Sequence, residues 1–301
     1  MSSIFNSLIS VSDLIDEDLE LIFEHISLFK AGELKRDYKG YSVGLLFEKF
    51  STRTRLSFEV AISMLGAYPV YINKTDTQLS RGESIEETAK MFSLYLDALV
   101  YRTSNQTNIE DFAEFSDIPV INALSDSEHP TQIISDIFTI KEMKPERNIS
   151  DLKIVYIGDG NNIANSFSLI ADTLDLNLTV CTPKGYEPNS RTHYGSNPIE
   201  AAQDADVIYT DVWTSMGDEG EEKKRMKDFK NFQINSALTK LAKKDYIFMH
   251  CLPAHIGEEV TREIIESPNS VVYSQAENKQ YTAMAIIDYF LGKGVTFPDP
   301  D

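Results

Sequence analysis

Three short strings of this sequence hold the side chains best suited to chemistry: Ser51-Thr52-Arg53-Thr54-Arg55, His129-Pro130-Thr131-Gln132 and His250-Cys251-Leu252-Pro253. The first lies where an apolar, strand-like run gives way to a helical pattern. Backbone N–H groups at a helix start, hydroxyls and the Arg53 guanidinium together make a cradle for a doubly charged phosphate. A Ser/Thr helix cap followed by a solvated arginine accounts for the same string equally well, and Arg55 has Glu48 and Glu83 as alternative partners. In the second string a histidine at a helix N-terminus is biased toward its neutral form, so it can donate one N–H to an acyl oxygen. Gln132, one turn on, can reach the same ligand, although a buried capping histidine is the simpler reading of His129 alone.

The third string admits a thiol nucleophile, a metal site or a polar amine-handling site. A nucleophile needs an oriented base, and His250, Cys251 and His255 lack a convincing fourth zinc ligand. A lone Cys251 is also often just a buried apolar residue. Asp211-Val-Trp-Thr-Ser215-Met216-Gly217 follows another strand-like run. Its carboxylate suits a cationic amine, and Ser215 with the backbone near Met216 suits an α-amino acid head. The acidic stretch that follows is either an ordinary solvated loop or a lid. Gly158-Asp159-Gly160-Asn161-Asn162-Ile163 has two glycines of a dinucleotide fingerprint but Ile163 in place of the third, which disfavours NAD or FAD. Asn161 and Asn162 suit a polar, zwitterionic small molecule instead.

Alternating strand and helix patterns must position these residues. Apolar runs at residues 41–47, 68–72, 98–102 and 119–122 read as strands, interleaved with helical periodicity behind Asp13, from Thr54, from Ser84 and from Pro130. The alternation restarts with strands at 153–157, 176–181, 206–210 and 246–250. The fold class expected is α/β, two doubly wound parallel-sheet domains joined by interdomain helices. The boundaries expected are 1–143 and 144–274, with Lys144–Asp151 as linker, and a C-terminal helix in 275–301 packing back on the first domain. Ligands of such sheets bind at the strands' C-terminal ends, where Ser51, Arg102, Gly158, Asp211 and His250 fall.

A chain of 301 residues, 42% hydrophobic, is long enough for two cores. It has no apolar run of the ~20 residues that cross a bilayer, and its N-terminus lacks the pattern of a signal peptide, so a soluble cytoplasmic protein is expected. Two cysteines exclude a disulfide framework. A net charge of −19 argues against a nucleic-acid partner. It would repel an anionic substrate at long range, which makes the local arginines at 53, 55, 81 and 102 informative.

Taken together, and in this order, the strings resemble the ornithine carbamoyltransferases over nearly the whole chain, with Gln78-Leu-Ser-Arg-Gly-Glu83 and Ala276-Glu277-Asn278 as further matches. Aspartate carbamoyltransferases look similar in the phosphate half but lack the Ser-Met-Gly loop and the cysteine of the last motif. The resemblance implies a carbamoyl phosphate-binding first domain and an ornithine-binding second, giving L-citrulline and phosphate. It assigns Ser51, Thr52, Arg53 and Thr54 to the phosphate, Arg102 to phosphate and carbonyl, and His129 and Gln132 to the carbamoyl group. It gives Asn162, Asp211, Ser215 and Met216 to ornithine, and Cys251 with Leu252 to the point where amine meets carbonyl. Catalysis would rest on Cys251, Arg102, His129 and Asp211. It further implies a homotrimer, or a multiple of it, with Gln78 reaching across a subunit boundary. No cofactor or metal is expected, because phosphate is already a good leaving group. One departure is Lys279, expected to bind carbamoyl phosphate: the family pattern reads Ala-Glu-Asn-Arg where this chain has Ala276-Glu277-Asn278-Lys279, and weaker carbamoyl phosphate binding is expected of it. It keeps the charge and loses the planar fork. A carbamoyltransferase for putrescine or an acylated ornithine, a catalytically silent subunit and, least of all, a nicotinamide-dependent dehydrogenase are the competing readings.

Overall fold

The computed structural model describes residues 7–190, 193–214 and 219–292. The chain divides into two compact units, Met1–Ser135 with Glu277–Asp301, and Asp136–Ala276.

In the first unit, strands β1 (Ser42–Phe47), β2 (Tyr68–Asn73), β3 (Ala98–Arg102) and β4 (Val120–Leu124) form a parallel sheet in the order β2-β1-β3-β4. Its inner strands are almost continuously buried, as a sheet covered on both faces requires. Helices α1 (Asp16–Ala31), α2 (Arg53–Met64), α3 (Ile85–Phe92) and α4 (Gln106–Phe115) connect or cover them. Leu46, Leu99, Tyr101, Phe92 and Phe112 share one core on a single face. Ser84 opens α3 as a capping box, its hydroxyl accepting the Glu87 N–H while Glu87 reaches back to the Ser84 N–H. Helix α4 had no strong sequence signal. Its start is set by Asn105, whose side chain accepts the Thr107 N–H.

In the second unit, β5 (Ile154–Ile157), β6 (Leu178–Cys181), β7 (Tyr194–Gly195), β8 (Val207–Thr210) and β9 (Ile247–His250) form a parallel sheet in the order β7-β6-β5-β8-β9. The two-residue β7 is too short for periodicity to reveal. Helix α5 (Pro130–Met143) and the C-terminal helix Val272–Leu291 each contain a division between the units. The sequence reading puts the first boundary at 143/144 instead, in a linker. That stretch is anchored to the second unit: Lys144 donates to Asp245 at 2.8 Å, and the Arg147 guanidinium pairs with buried Asp206. Turn-forming residues marked a loop correctly but say nothing of what its charges bind.

Both strand orders reverse direction at one point, between β1 and β3 and between β5 and β8. The crevice at such a point is where open α/β sheets take ligands. The loops following these four strands begin at Glu48, Thr103, Gly158 and Asp211.

Candidate active site

In the first unit, β1 and β3 end level with each other, Phe47 opposite Arg102. Glu48 then locks the exit of β1. Its carboxylate accepts the Tyr101 hydroxyl at 2.6 Å and the Thr103 hydroxyl at 3.0 Å, and pairs with Lys74 at 2.8 Å. Lys74 begins the turn that leads to Gln78, which is exposed in the 3-10 turn Gln78–Arg81. Ser51 precedes α2, and Thr52 is its N-cap residue but makes no side-chain cap bond. The helix-cap reading of this string therefore fails, and the first-turn N–H groups beside Arg53 and Thr54 keep their anion-binding character. Thr54 is buried, while Thr52 and Arg53 are exposed. Arg55 pairs with neither Glu48 nor Glu83. It bonds Glu59 at 3.0 Å and lies over the Tyr71 ring.

A register irregularity at the end of β3 sets Tyr101 opposite Asn122 and Arg102 opposite Leu124, skipping one residue of β4. Such a bulge re-aims the side chain at a strand end, here the buried Arg102. After β4 the Ser125 hydroxyl accepts the Glu128 N–H at 3.0 Å and the Ser125 N–H donates to the Glu128 carbonyl at 2.8 Å. This closed turn delivers His129 to the start of α5. Burial, then the positive charges of Lys279 and Arg102, hold the His129 imidazole well below its ordinary range, so it is neutral. Gln132 is buried one turn on, and its amide oxygen accepts a hydrogen bond from the buried Lys279 ammonium. Arg102, His129, Gln132 and Lys279 thus belong to one buried group, drawn from β3, α5 and the C-terminal helix.

In the second unit, Asp211 and Cys251 follow adjoining strands, with Thr210 opposite His250. The Cys251 thiol donates to Asp211 Oδ1 at 3.0 Å, and the Val212 N–H bonds the same oxygen at 2.8 Å. Asn161 donates to Asp211 Oδ2 at 2.9 Å while its own carbonyl oxygen caps helix α6 (Asn162–Thr173), accepting the Ile163 and Ala164 N–H groups. The Tyr156 hydroxyl reaches Asn161 at 3.3 Å. Burial first, and then the negative charge of Asp211, push the Tyr156 phenol well above its usual range, so it is a neutral donor.

His250 does not present a lone pair to a ligand. Its Nδ1 accepts the Leu252 N–H at 2.8 Å, which leaves the proton on Nε2, facing Glu259 at 3.0 Å. Leu252 turns its N–H back by adopting φ +56°, an uncommon conformation for a branched residue. Although Asp211, His250 and Cys251 bring ligand-type atoms within 4.8 Å of one another, the imidazole is committed on both sides. That chemistry disfavours the zinc reading. The dinucleotide reading fails for a related reason. Asn161 occupies the α6 donors that a pyrophosphate needs, and Gly160 packs so closely that a Cβ would clash with the Tyr186 carbonyl oxygen.

Ser215 and Met216 lie outside the described residues. Asn162 is the first residue of α6 and partly buried, beside the Asn161 that touches Asp211. Glu259 is a member that sequence reasoning left out of the site, and Asn161, read from sequence as suited to a polar ligand, shows its bond to Asp211 only in the structure. An asparagine between strand and helix does signal an N-cap, but its second bond, to Asp211, joins residues fifty positions apart. Glu259 sits in a loop without periodicity.

A family model for the carbamoyl-P binding domain of aspartate/ornithine carbamoyltransferases matches residues 6–142, and one for the Asp/Orn binding domain matches residues 150–290. The chain belongs to the aspartate/ornithine carbamoyltransferase family. Among its relatives, the ornithine carbamoyltransferase of Thermococcus kodakarensis is 46% identical over 301 residues, covering 94% of this chain and 95% of that protein. The anabolic ornithine carbamoyltransferase of Pyrococcus furiosus is 44% identical over 309 residues, covering 96% and 97%. The solved ornithine carbamoyltransferase of P. furiosus superposes with a TM-score of 0.92 at 42% identity, covering 98% of this chain and 100% of that one. The anabolic enzyme of Campylobacter jejuni gives 0.90 at 34% identity, covering 95% and 99%. Family membership accounts for two sheets that carry separate polar groups at their switch points.

Proposed function

We propose that this chain transfers the carbamoyl group of carbamoyl phosphate to the δ-amine of L-ornithine, giving L-citrulline and phosphate. The observation that carries the amine side of this reading is the Cys251–Asp211 bond at 3.0 Å, braced by Asn161. It offers a carboxylate and a polarisable thiol to one cationic nitrogen. In this reading Ser51, Thr52, Arg53, Thr54, Arg102 and Lys279 hold the phosphate, with Gln78 given by a neighbouring subunit. His129, Gln132, Cys251 and Leu252 address the carbamoyl group. Asn162, Asp211, Ser215 and Met216 hold ornithine.

The amine must lose a proton before it attacks, since its ordinary pKa is lysine-like, about 10. Asp211 and Cys251 orient it and ease that loss. The neutral nitrogen then adds to the carbamoyl carbon. Charge developing on the carbonyl oxygen is met by Arg102 and the neutral His129 N–H, donors fixed before reaction. Collapse breaks the carbon–oxygen bond to phosphate, and the second amine proton leaves with hydrogen phosphate.

Assembly as a homotrimer, or a multiple of one, is part of the same proposal. It is supported by the apolar surface of the first unit: Leu56, Val60 and Met64 form an exposed stripe along α2, Tyr68 is exposed on edge strand β2, and Leu94 and Tyr95 follow α3. Apolar patches of this kind mark association surfaces. No helix among the described residues is long and apolar enough to cross a membrane. Two free cysteines support a cytoplasmic enzyme.

The test is citrulline formation by the purified protein, with ornithine, putrescine, N-acetylornithine and aspartate offered in parallel. Turnover with ornithine alone is expected. Turnover with another amine moves the error to the loop after Asp211, and folded protein silent with all four removes the proposal.

A further inference from the structure

Asp136, Tyr209 and Gln275 form a buried polar cluster in the second unit with no part in the chemistry described above. All are at most 1% exposed. The Gln275 amide oxygen accepts the backbone N–H of His250 at 3.0 Å. Its nitrogen donates to Asp136 Oδ1 at 2.8 Å and to the Tyr209 hydroxyl at 3.2 Å. The Tyr209 hydroxyl in turn donates to Asp136 Oδ2 at 2.8 Å. Donor and acceptor roles leave one orientation for the amide: oxygen to the N–H, nitrogen to the carboxylate.

The ends of these bonds lie in telling places. Tyr209 is two residues before Asp211, and His250 is the residue before Cys251. β9 is an edge strand, so its outward N–H groups need partners from outside the sheet. Phe248 takes the Asn269 carbonyl, and His250 takes Gln275. From the other side, the Tyr156 ring stacks on Tyr209 at 5.8 Å and its hydroxyl reaches Asn161, which bonds Asp211. A buried carboxylate and amide are costly fillers beside a leucine. Here they tie together the two strand ends that carry the reacting pair.

We propose that Gln275 and Asp136 are positioning residues, which set the separation of the Asp211 carboxylate and the Cys251 thiol. This rests on the reading of that pair as the amine-handling group. Displacing such a pair by about 1 Å costs about a hundred-fold in rate.

The experiment compares Gln275→Leu, Gln275→Glu and Tyr209→Phe with wild type, by steady-state kinetics and by the rate of Cys251 alkylation with iodoacetamide. Cys181 is buried and its thiol is pushed up to about 12, so it does not compete. Gln275→Leu is expected to lower kcat about a hundred-fold and alter the alkylation rate several-fold. In a Cys251→Ala background it should cost far less, since coupled residues are not additive. Gln275→Glu keeps the acceptor for His250 but sets a second carboxylate against Asp136, so its activity relative to wild type should recover as pH falls. Tyr209→Phe, the mildest change, should move both readouts the same way and less, and decides the matter if Gln275→Leu does not fold. Unchanged kcat and alkylation in a folded variant, or an equal loss with and without Cys251, overturns the proposal. If wild type makes no citrulline, the functional reading fails by itself, and the alkylation rates still decide whether Gln275 positions Cys251.

Discussion

His129 shows how one residue's surroundings choose its chemistry. Burial and the neighbouring cations depress its pKa well below the ordinary value, so the native protein holds a neutral imidazole while the unfolded chain takes up a proton below about pH 6.5. The unfolded state then binds more protons, and stability falls as pH drops through that window. Thermal unfolding of His129→Gln should lack this part of the pH slope, and equal slopes in both proteins would discard the assignment. Lys279 makes a second prediction. Its ammonium bonds the Gln132 amide oxygen, whereas a guanidinium would add a planar fork for phosphate. Lys279→Arg should tighten carbamoyl phosphate binding by about 1–2 kcal/mol if the contact is direct, and an unchanged KM would sink the idea.

At the scale of elements, the sites depend on how strands end. Helix α2 begins without a side-chain cap and α6 begins with one, so the first keeps donors for an anion and the second has given them to Asn161. The loop between β5 and α6 is held against the chain at Tyr186–Pro188, where a Gly160 Cβ would lie within 2.5 Å of backbone atoms on that segment. Gly160→Ala should therefore destabilise the protein by about 1–3 kcal/mol. It should also weaken ornithine binding by moving Asn161. Denaturant midpoints and ornithine KM measured on one preparation check both effects, and a fully stable alanine variant would show that the loop yields.

For the whole molecule, the prediction concerns assembly. Leu94 and Tyr95 are 79% and 72% exposed, more than an isolated chain gains from, given the attraction of such surfaces for one another. Leu94→Asp with Tyr95→Asp should convert a trimer into monomers in sedimentation velocity, and activity should fall with it because Gln78 then has no neighbour to serve. Wild-type protein sedimenting as a monomer would remove this proposal. The net charge of −19 adds self-repulsion, so the apolar face has to overcome it.

Much of this was legible in the residues alone, for a local reason. The alternation of strand and helix is written in periodicity, Ser84 and Glu87 announce a helix start, and the motifs fall at strand ends because a parallel sheet gathers them there. The candidate groups at Arg53, His129, Asp211 and Cys251 could be named because their types and neighbours already limit their chemistry. Partnership was not legible. Arg55 turned to Glu59 rather than Glu48, Lys144 and Arg147 anchored a supposed linker, and Asn161, Glu259 and Gln275 emerged as braces around Asp211 and Cys251. Those bonds join residues far apart in the chain, and no local pattern records them. The neutrality of His129 lies between the two: a helix start hinted at it, but burial beside Lys279 and Arg102 exists only once the chain has folded.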